Sequence, residues 1–421
     1  MRILLIGSGG REHALGRKLC ADEAGLELHC APGNPGLAEL GCCHDVAARD
    51  IAGLIALAQS LAPDLVIVGP EEPLALGLVD QLQALGLRVF GPSKIAAQLE
   101  ASKSFAKDIM AAAKVPTARY ERFLDLAAAQ AALASWPAQV VVKADGLAAG
   151  KGVVVCDSHR QASAALEELA ALGQPLLLEA FLEGPEVSLF ALVHGQQVIA
   201  LTTAQDHKRV GEGDTGPNTG GMGAYSPGVL PTGLTLDTLI AQTVQPIADE
   251  MVRRGTPFNG VLFVGLMLTA QGPKVLEYNV RFGDPECQVL MARLKSPLLP
   301  LLLGTAGPVD WHEACAMTVV LAAEGYPGPY EKGRAIRLPN CLPEGTHMIH
   351  AGTRQRRGVL ETDGGRVMNA VALGATLKDA RDGAYALAEQ MRWDGRFYRA
   401  DIGWRALTAV IGWRALTAVC R

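Results

Sequence analysis

The sequence predicts a multidomain α/β and α+β protein whose N-terminal unit is a parallel α/β sheet, and three observations carry that expectation. The chain has 421 residues, too many for one compact core, and at about 150 residues per domain it divides into two to four units. Its first hundred residues alternate short apolar runs ending in glycine with amphipathic helical stretches, the pattern of βα units. From Ala316 onward the chain reads as a small α+β unit. Composition agrees with a well-buried globular chain: 49% of residues are hydrophobic and only 5% aromatic, so Ala, Leu and Val carry the core.

Taken in order, residues 3–6 form the first predicted strand, followed by a helix over 12–20 and strands at 65–68 and 88–90 before Gly91-Pro92. The pattern breaks at Val115-Pro116-Thr117. A second unit then begins with a strand at 140–143, a glycine-rich turn and a strand at 153–155. The segment 205–227 is polar and studded with glycine, and its lost periodicity predicts a long loop, of a length that is usually functional or disordered. A helix over 236–253 follows, then strands at 261–268 and 274–280 joined by Ala270-Gln271-Gly272-Pro273, and a helix from about Pro285. At the end, 402–410 reads IGWRALTAV and 411–419 repeats the same nine residues. One repetition of so short a unit is no solenoid; it reads as a duplicated tail.

Charge and cysteine content exclude several classes. With 38 Lys+Arg against 43 Asp+Glu, the net charge of −5 offers no footprint for a nucleic-acid backbone. The nine cysteines show no CxxC pair, so reduced thiols are expected, not a disulfide framework or a zinc site. Met1-Arg2-Ile3-Leu4-Leu5-Ile6 runs directly into glycines without the apolar region of a secretory leader. No apolar stretch approaches the ~18 residues of a membrane span. The expectation is a cytoplasmic protein without membrane or nucleic-acid partners.

Three motifs can carry chemistry. Gly7-Ser8-Gly9-Gly10-Arg11-Glu12 follows a strand and opens a helix, where backbone N–H groups can hold a phosphate. Glu12 stands where a dinucleotide fingerprint needs its third glycine, so a phosphate cradle and a plain βα turn both remain open. The run from Lys143 through Gly146, Gly150 and Lys151 to Gly152 sets two lysines around a glycine-rich turn. Its spacing is not that of a Walker A loop. A structural hairpin needs no lysine at either end, so phosphate binding is favoured. In the third, Glu277 and Asn279 share one face of a strand while Leu276, Tyr278 and Val280 point the other way. A carboxylate with an amide oxygen suits Mg²⁺ completed by phosphates and water, and Arg281 at the strand end can clamp an anion. Standing alone, that motif would read more readily as the polar face of a half-exposed strand. His207 is expected on a polar loop, with Met222 and Tyr225 packing that loop down.

These segments together resemble the phosphoribosylamine–glycine ligase (glycinamide ribonucleotide synthetase) family of the ATP-grasp superfamily. The resemblance rests on IGSGGREHAL near the N-terminus, VGPEEPL at 68–74, KADGLAAGKGV at 143–153, QDHKRVGEGDTGPNTGGMGAYSP at 205–227, RFGDPECQ at 281–288 and DIGWRA at 401–406. It implies an N-terminal phosphoribosyl-binding domain over 1–102, an ATP-grasp domain over 103–308 with a mobile subdomain near 117–190, and a C-terminal domain over 309–421. It further implies that Lys103, Lys143 and the 146–152 turn (Gly146, Gly150, Lys151, Gly152) approach ATP phosphates, with Glu179 and Leu182 at the adenine hinge and Glu186 at the ribose. Glu277 and Asn279 would bind Mg²⁺ or Mn²⁺. Gly9, Gly10, Arg11 and Glu71 would hold the phosphoribosyl group, and Asp214, Asn218, Thr219 and Arg281 would line the place where glycine meets the amine of 5-phosphoribosylamine. The implied enzyme is a monomeric ligase forming a C–N bond through a glycyl phosphate. Two departures stand out: Leu172-Gly173-Gln174 passes directly into Pro175, where the family carries a longer glycine-rich stretch able to cover the nucleotide, and 261–268 contains no second metal carboxylate.

Overall fold

The computed structural model describes residues 1–147 and 152–412. Among these residues, β1 (Arg2–Gly7), β2 (Glu27–Pro32), β3 (Cys42–Cys43), β4 (Leu65–Val68) and β5 (Val89–Phe90) make a parallel sheet in the order β3-β2-β1-β4-β5. Ile3 and Leu5 pack into one core and Leu4 and Ile6 into another, so both faces are buried, as parallel sheets require. Each of those two cores continues into the next sheet. Leu189 and Ala191 of β10 (Glu186–His194) join Leu4 and Ile6, while Phe190 and Leu192 join Ile3 and Leu5. The N-terminal sheet is thereby locked against the central one.

A separate four-stranded sheet is built from β6 (Tyr120–Phe123), β7 (Val140–Ala144), β8 (Val153–Cys156) and β9 (Leu176–Ala180), in the order β6-β9-β7-β8. It has its own core around Trp136, Val142, Leu166 and Leu178. The central sheet continues β10 with β11 (Gln197–Asp206), while β12 (Arg209–Gly211) and β13 (Thr215–Asn218) form a hairpin beside it. Next come β14 (Gly223–Ser226), β15 (Asn259–Thr269), β16 (Gly272–Asn279) and β17 (Cys315–Ala323). The strands β18 (Thr346–His350), β21 (Arg366–Gly374) and β22 (Arg396–Phe397) complete it, and β19 (Thr353–Arg356) pairs only with β20 (Val359–Thr362). The central order is β16-β15-β10-β11-β14-β17-β21-β18, with β22 on β17.

Two expectations change. Residues 205–227 are not a bare loop: they contain the end of β11, the β12–β13 hairpin and β14, and β14 bridges β11 to β17. Glycine and polar residues hid that strand, yet Gly223, Ala224, Tyr225 and Ser226 are all buried. The helix expected over 236–253 is two helices, Leu236–Thr243 and Gln245–Arg253. Pro246 lies in the first turn of the second, and its missing N–H could not have continued the first.

The tail repeat begins inside the helix Trp404–Gly412. Ile402 and Ala406 of the first copy are buried in the C-terminal core, whereas 413–419 of the second copy lie outside the described residues. Truncation after Val410 is expected to leave turnover and melting temperature unchanged. Truncation after Ala400 removes Ile402 and Ala406 and is expected to lower stability by about 2–4 kcal/mol; thermal melts of the two truncations side by side check this.

Candidate active site

The strand β16 and the residues after it pass between two clusters of charge. On one side, β7 carries Lys143 next to its end, and Lys143 Nζ donates to Glu179 Oε2 of β9 at 2.9 Å, while Lys107 Nζ lies 3.2 Å from the same oxygen. Lys143 and Glu179 are buried, at 6% and 2% exposure. Two ammonium groups on one carboxylate leave positive charge to spare, and burial pushes Lys107 down to about 8. Glu179 Oε1 has no hydrogen-bond partner, an acceptor open to an incoming donor. Lys103 opens the helix Lys103–Ala112, which Ser102 caps, and donates from Nζ to the Gly146 carbonyl at 2.9 Å. Gly146 needs to be glycine: its φ is +116°, and a Cβ there would meet the Gln174 side chain at 2.7 Å. Gly152 is buried, its carbonyl accepting from Ala144 N–H, while Gly150 and Lys151 lie outside the described residues.

Glu277 and Asn279 lie on the same face of β16, as the alternation predicts. The opposite face differs from strict alternation. The β15–β16 register slips between Gly265 and Leu266, and this bulge brings Val275, not Leu276, into the core with Tyr278 and Val280. The Leu276 carbonyl instead receives Lys143 Nζ at 3.4 Å. Burial alone would raise the Glu277 carboxyl, but Lys208, Lys143 and Lys103 hold it below the ordinary range. Lys208 also forms an ion pair with Glu186 at the start of β10. Leu182 follows β9, in the segment leading to Glu186. An ionised carboxylate and an amide oxygen on one face, among cations that also attract phosphate, fit a hard divalent ion. No carboxylate from β15 joins them.

On the other side, Arg281 donates from Nη2 to Glu100 Oε1 at 2.7 Å and to Asn279 Oδ1 at 3.3 Å, and from Nε to Glu71 Oε2 at 3.2 Å. Burial would raise Glu71, yet Arg281 and Arg11 hold it down to about 2; burial pushes Glu100 up to about 7. Arg11 and Arg281 line one crevice with Gly69. The N-terminal turn is partly filled by the protein's own acids: Gly9 N–H donates to Glu12 Oε2 at 2.7 Å, and Arg11 N–H to Asp284 Oδ2 at 3.4 Å. Gly10 has no room for a Cβ, which would lie 2.5 Å from Gln288 Nε2. Arg11 points inward, from Nε to Glu12 Oε1 at 2.6 Å and from Nη1 to the Phe282 carbonyl at 3.1 Å.

Asp214, Asn218 and Thr219 form a third group around the β12–β13 hairpin. Asp214 binds Arg405 at 2.6 Å and Arg399 at 3.1 Å, and these arginines with His207 hold its carboxyl low although burial opposes them. Thr219 Oγ1 donates to the Lys208 carbonyl at 2.9 Å and accepts from Gly221 N–H. Asn218 pairs with Arg209 across the hairpin. His207 is not on an exposed polar loop. It is fully buried, with Nδ1 3.8 Å from Asp214 and Nε2 accepting from Gly403 N–H at 2.9 Å. Met222 and Tyr225 are buried, as expected.

This geometry unites a lysine–carboxylate cluster, a strand with cation-binding oxygens and an arginine reaching the N-terminal sheet, and the comparisons agree with it. Phosphoribosylglycinamide synthetase models match the chain in succession: the N domain at residues 1–100, the ATP-grasp (A) domain at 101–287 and the C domain at 316–405. The chain belongs to the phosphoribosylglycinamide synthetase family. A phosphoribosylamine–glycine ligase of Agrobacterium fabrum is 49% identical over 419 residues, covering 97% of this chain and 99% of that protein. The crystal structure of phosphoribosylamine–glycine ligase from Thermotoga maritima matches with a TM-score of 0.83 at 34% identity, over 95% of this chain and 100% of that one. Biotin carboxylase from Campylobacter jejuni has a TM-score of 0.73 at 16% identity, over 94% of this chain and 92% of that one, and shares the fold. Within this family frame, sequence reasoning missed Glu100, Lys107, Lys208, Arg399 and Arg405. Arg405 lies inside the DIGWRA motif and Lys208 beside His207, so both were in view; Glu100 and Lys107 carry no local signal.

Proposed function

We propose that this protein joins glycine to 5-phosphoribosylamine using ATP, giving glycinamide ribonucleotide, ADP and phosphate, the second step of de novo purine biosynthesis. One observation carries the reading: Glu277 and Asn279 of β16 lie beside the lysine cluster, while Arg281, two residues on, is bound to Glu71 after β4. A nucleotide and a phosphoribosyl group held by these two sides meet at one strand. The names of the relatives supply the same activity.

In this reading Lys103, Lys143, Gly146, Gly150, Lys151 and Gly152 approach the ATP phosphates. Glu179, through its unpartnered oxygen, and Leu182 receive the adenine, and Glu186 the ribose. Gly9, Gly10, Arg11 and Glu71 hold the phosphoribosyl group. Asp214, Asn218, Thr219 and Arg281 border the junction. Glu277 and Asn279 hold Mg²⁺ or Mn²⁺, which when bound neutralises phosphate charge. A glycine carboxylate oxygen attacks the γ-phosphorus as its bond to the ADP oxygen breaks, giving glycyl phosphate. The amine nitrogen then attacks the carbonyl carbon, phosphate leaves, and the nitrogen loses a proton. Neither step needs a protein nucleophile; the side chains align the reactants and offset charge. The functional division is 1–102, 103–308 with 117–190 as its mobile part, and 309–421. The protein acts as a cytoplasmic monomer without nucleic-acid or membrane partners; no helix among the described residues is long and apolar enough to cross a membrane.

Purified protein with Mg²⁺ is expected to release ADP only when glycine and 5-phosphoribosylamine are both present. Equal turnover with other amino acids would instead indicate a different carboxylate–amine ligase. Tight ATP binding without glycine-dependent turnover would indicate a nucleotide-binding protein without catalysis.

A further inference from the structure

The edge of the N-terminal sheet, away from the clusters above, carries a group of donors that the proposed reaction does not use. β2 and β3 run parallel with His29 opposite Cys42. Because side chains alternate along a strand, Glu27 and His29 share a face with Cys42 and His44. The ligand atoms of His29, Cys42 and His44 all lie within 4.8 Å of one another, and these are the residues among those described that group in this way. His29 Nδ1 is 2.8 Å from His44 Nε2, and the rings stack with centroids 5.1 Å apart. His29 Nε2 lies 3.0 Å from Glu27 Oε1. A carboxylate accepts only, so His29 carries its proton on Nε2 and presents a lone pair at Nδ1. That is the carboxylate–histidine arrangement that orients and strengthens a metal-binding imidazole. Spacing along the chain shows neither a CxxC nor a histidine pair; the register of two parallel strands assembles the set.

We propose that His29, Cys42 and His44 form a binding site for a borderline-soft divalent cation of the zinc class, with Glu27 fixing His29 from behind. Two imidazoles and a thiolate are the donors such ions prefer, and a water completes four ligands. Zinc bond lengths of ~2.0–2.3 Å in tetrahedral geometry require donors about 3.3–3.6 Å apart, so the two rings need separate by only about half an ångström. On binding, His44 moves its proton from Nε2 to Nδ1, the Cys42 thiol releases one proton to solvent, and the cation takes their place between the donors. Cys42 is exposed and His29 is 9% exposed, so the ion enters directly from water. The clip ties β3 to β2 around Asn34, whose Nδ2 donates to the Ser8 carbonyl at 2.8 Å and the His350 carbonyl at 3.2 Å. The site therefore steadies the segment that supports the Gly9–Gly10 turn.

Titrating the full chain with Co²⁺ tests this, because a thiolate–cobalt charge-transfer band cannot come from the oxygen donors at Glu277. About one equivalent of Co²⁺ is expected to develop that band, Zn²⁺ to abolish it by displacement, and Zn²⁺ to raise the melting temperature by a few degrees. Cys42→Ser should lose the band, and His44→Gln should weaken Co²⁺ binding about tenfold or more. Glu27→Gln should weaken it roughly tenfold, as for other outer partners of metal-bound histidines. Cys341→Ser, at another exposed thiol, should behave as the unmodified chain. No band, a band that survives Cys42→Ser, or unchanged affinity in His44→Gln would overturn the proposal.

Discussion

Glu277→Ala is expected to lower turnover about 10³-fold or more at ordinary Mg²⁺ while the protein melts within a few degrees of its normal temperature. Lys103, Lys143 and Lys208 surround the half-buried Glu277 carboxylate and hold it ionised against the desolvation that opposes them. Its side chain still keeps 40% of its exposure, so alanine leaves no packed cavity and the cost to folding is small. What disappears is the single carboxylate on that face of β16. Charge stabilisation by a bound divalent ion supplies several kcal/mol at a transferring phosphoryl group, and about 4 kcal/mol corresponds to 10³-fold in rate. Glu277→Gln keeps the size and removes the charge, and is expected to fall nearly as far. Raising Mg²⁺ should recover part of the loss in Gln and little in Ala. Steady-state ADP release across a Mg²⁺ series measures this, with circular dichroism to establish the fold. A normal rate in Glu277→Ala would remove the metal assignment.

Local signals gave the first strand and helix, the two strands on either side of the lysine-flanked turn and the Glu277–Asn279 face, because each depends on residues close together in the chain. Where the reading fell short, the determinant lay elsewhere. β14 is four residues long and follows Gly220-Gly221 in a polar run, so it does not look like a strand, and it is one because β11 and β17 offer paired edges on both sides. His207 sits in a polar run, but Asp214 and the Gly403 amide give its ring nitrogens polar neighbours deep in the protein. The bulge at Leu276 depends on β15, so strict alternation placed the wrong residue in the core. The sharing of Arg281 between Glu71 and Glu100 joins positions about two hundred residues apart, which no local pattern encodes. The cation cluster at His29 was unreadable for the same reason, since parallel register brings together residues that spacing separates.

Arg281→Ala is expected to have the second large effect, on both catalysis and the pH dependence of stability. Its guanidinium is the shared partner of the buried Glu100 carboxyl and the half-buried Glu71 carboxyl, and breaking a buried pair by removing one member costs about 3–5 kcal/mol. Glu100 already sits at about 7 against an ordinary 4.5, because burial outweighs the attraction of Arg281. A raised carboxyl means that the folded state binds more protons than the unfolded state between those values. The associated stability is present below about 4.5 and is lost as pH rises through 7. Without Arg281 the Glu100 carboxyl moves higher still, so the decline extends further into alkaline pH. Glu71 works in the opposite sense. Held at about 2, it contributes stability above its unfolded value that disappears as pH falls towards 2, and without Arg281 that contribution shrinks. Both changes move the variant's stability optimum towards acid. The gap in melting temperature between the variant and the unmodified protein should therefore be smallest at pH 4.5 and widen towards pH 8.5. Arg281→Lys, which keeps a charge but not the fork that reaches both acids, should fall between the two. Turnover in Arg281→Ala should drop by about 10²–10³, the scale for losing one fixed donor at a developing charge. A melting temperature displaced equally at every pH would show that Glu100 and Arg281 are not coupled as their 2.7 Å contact implies.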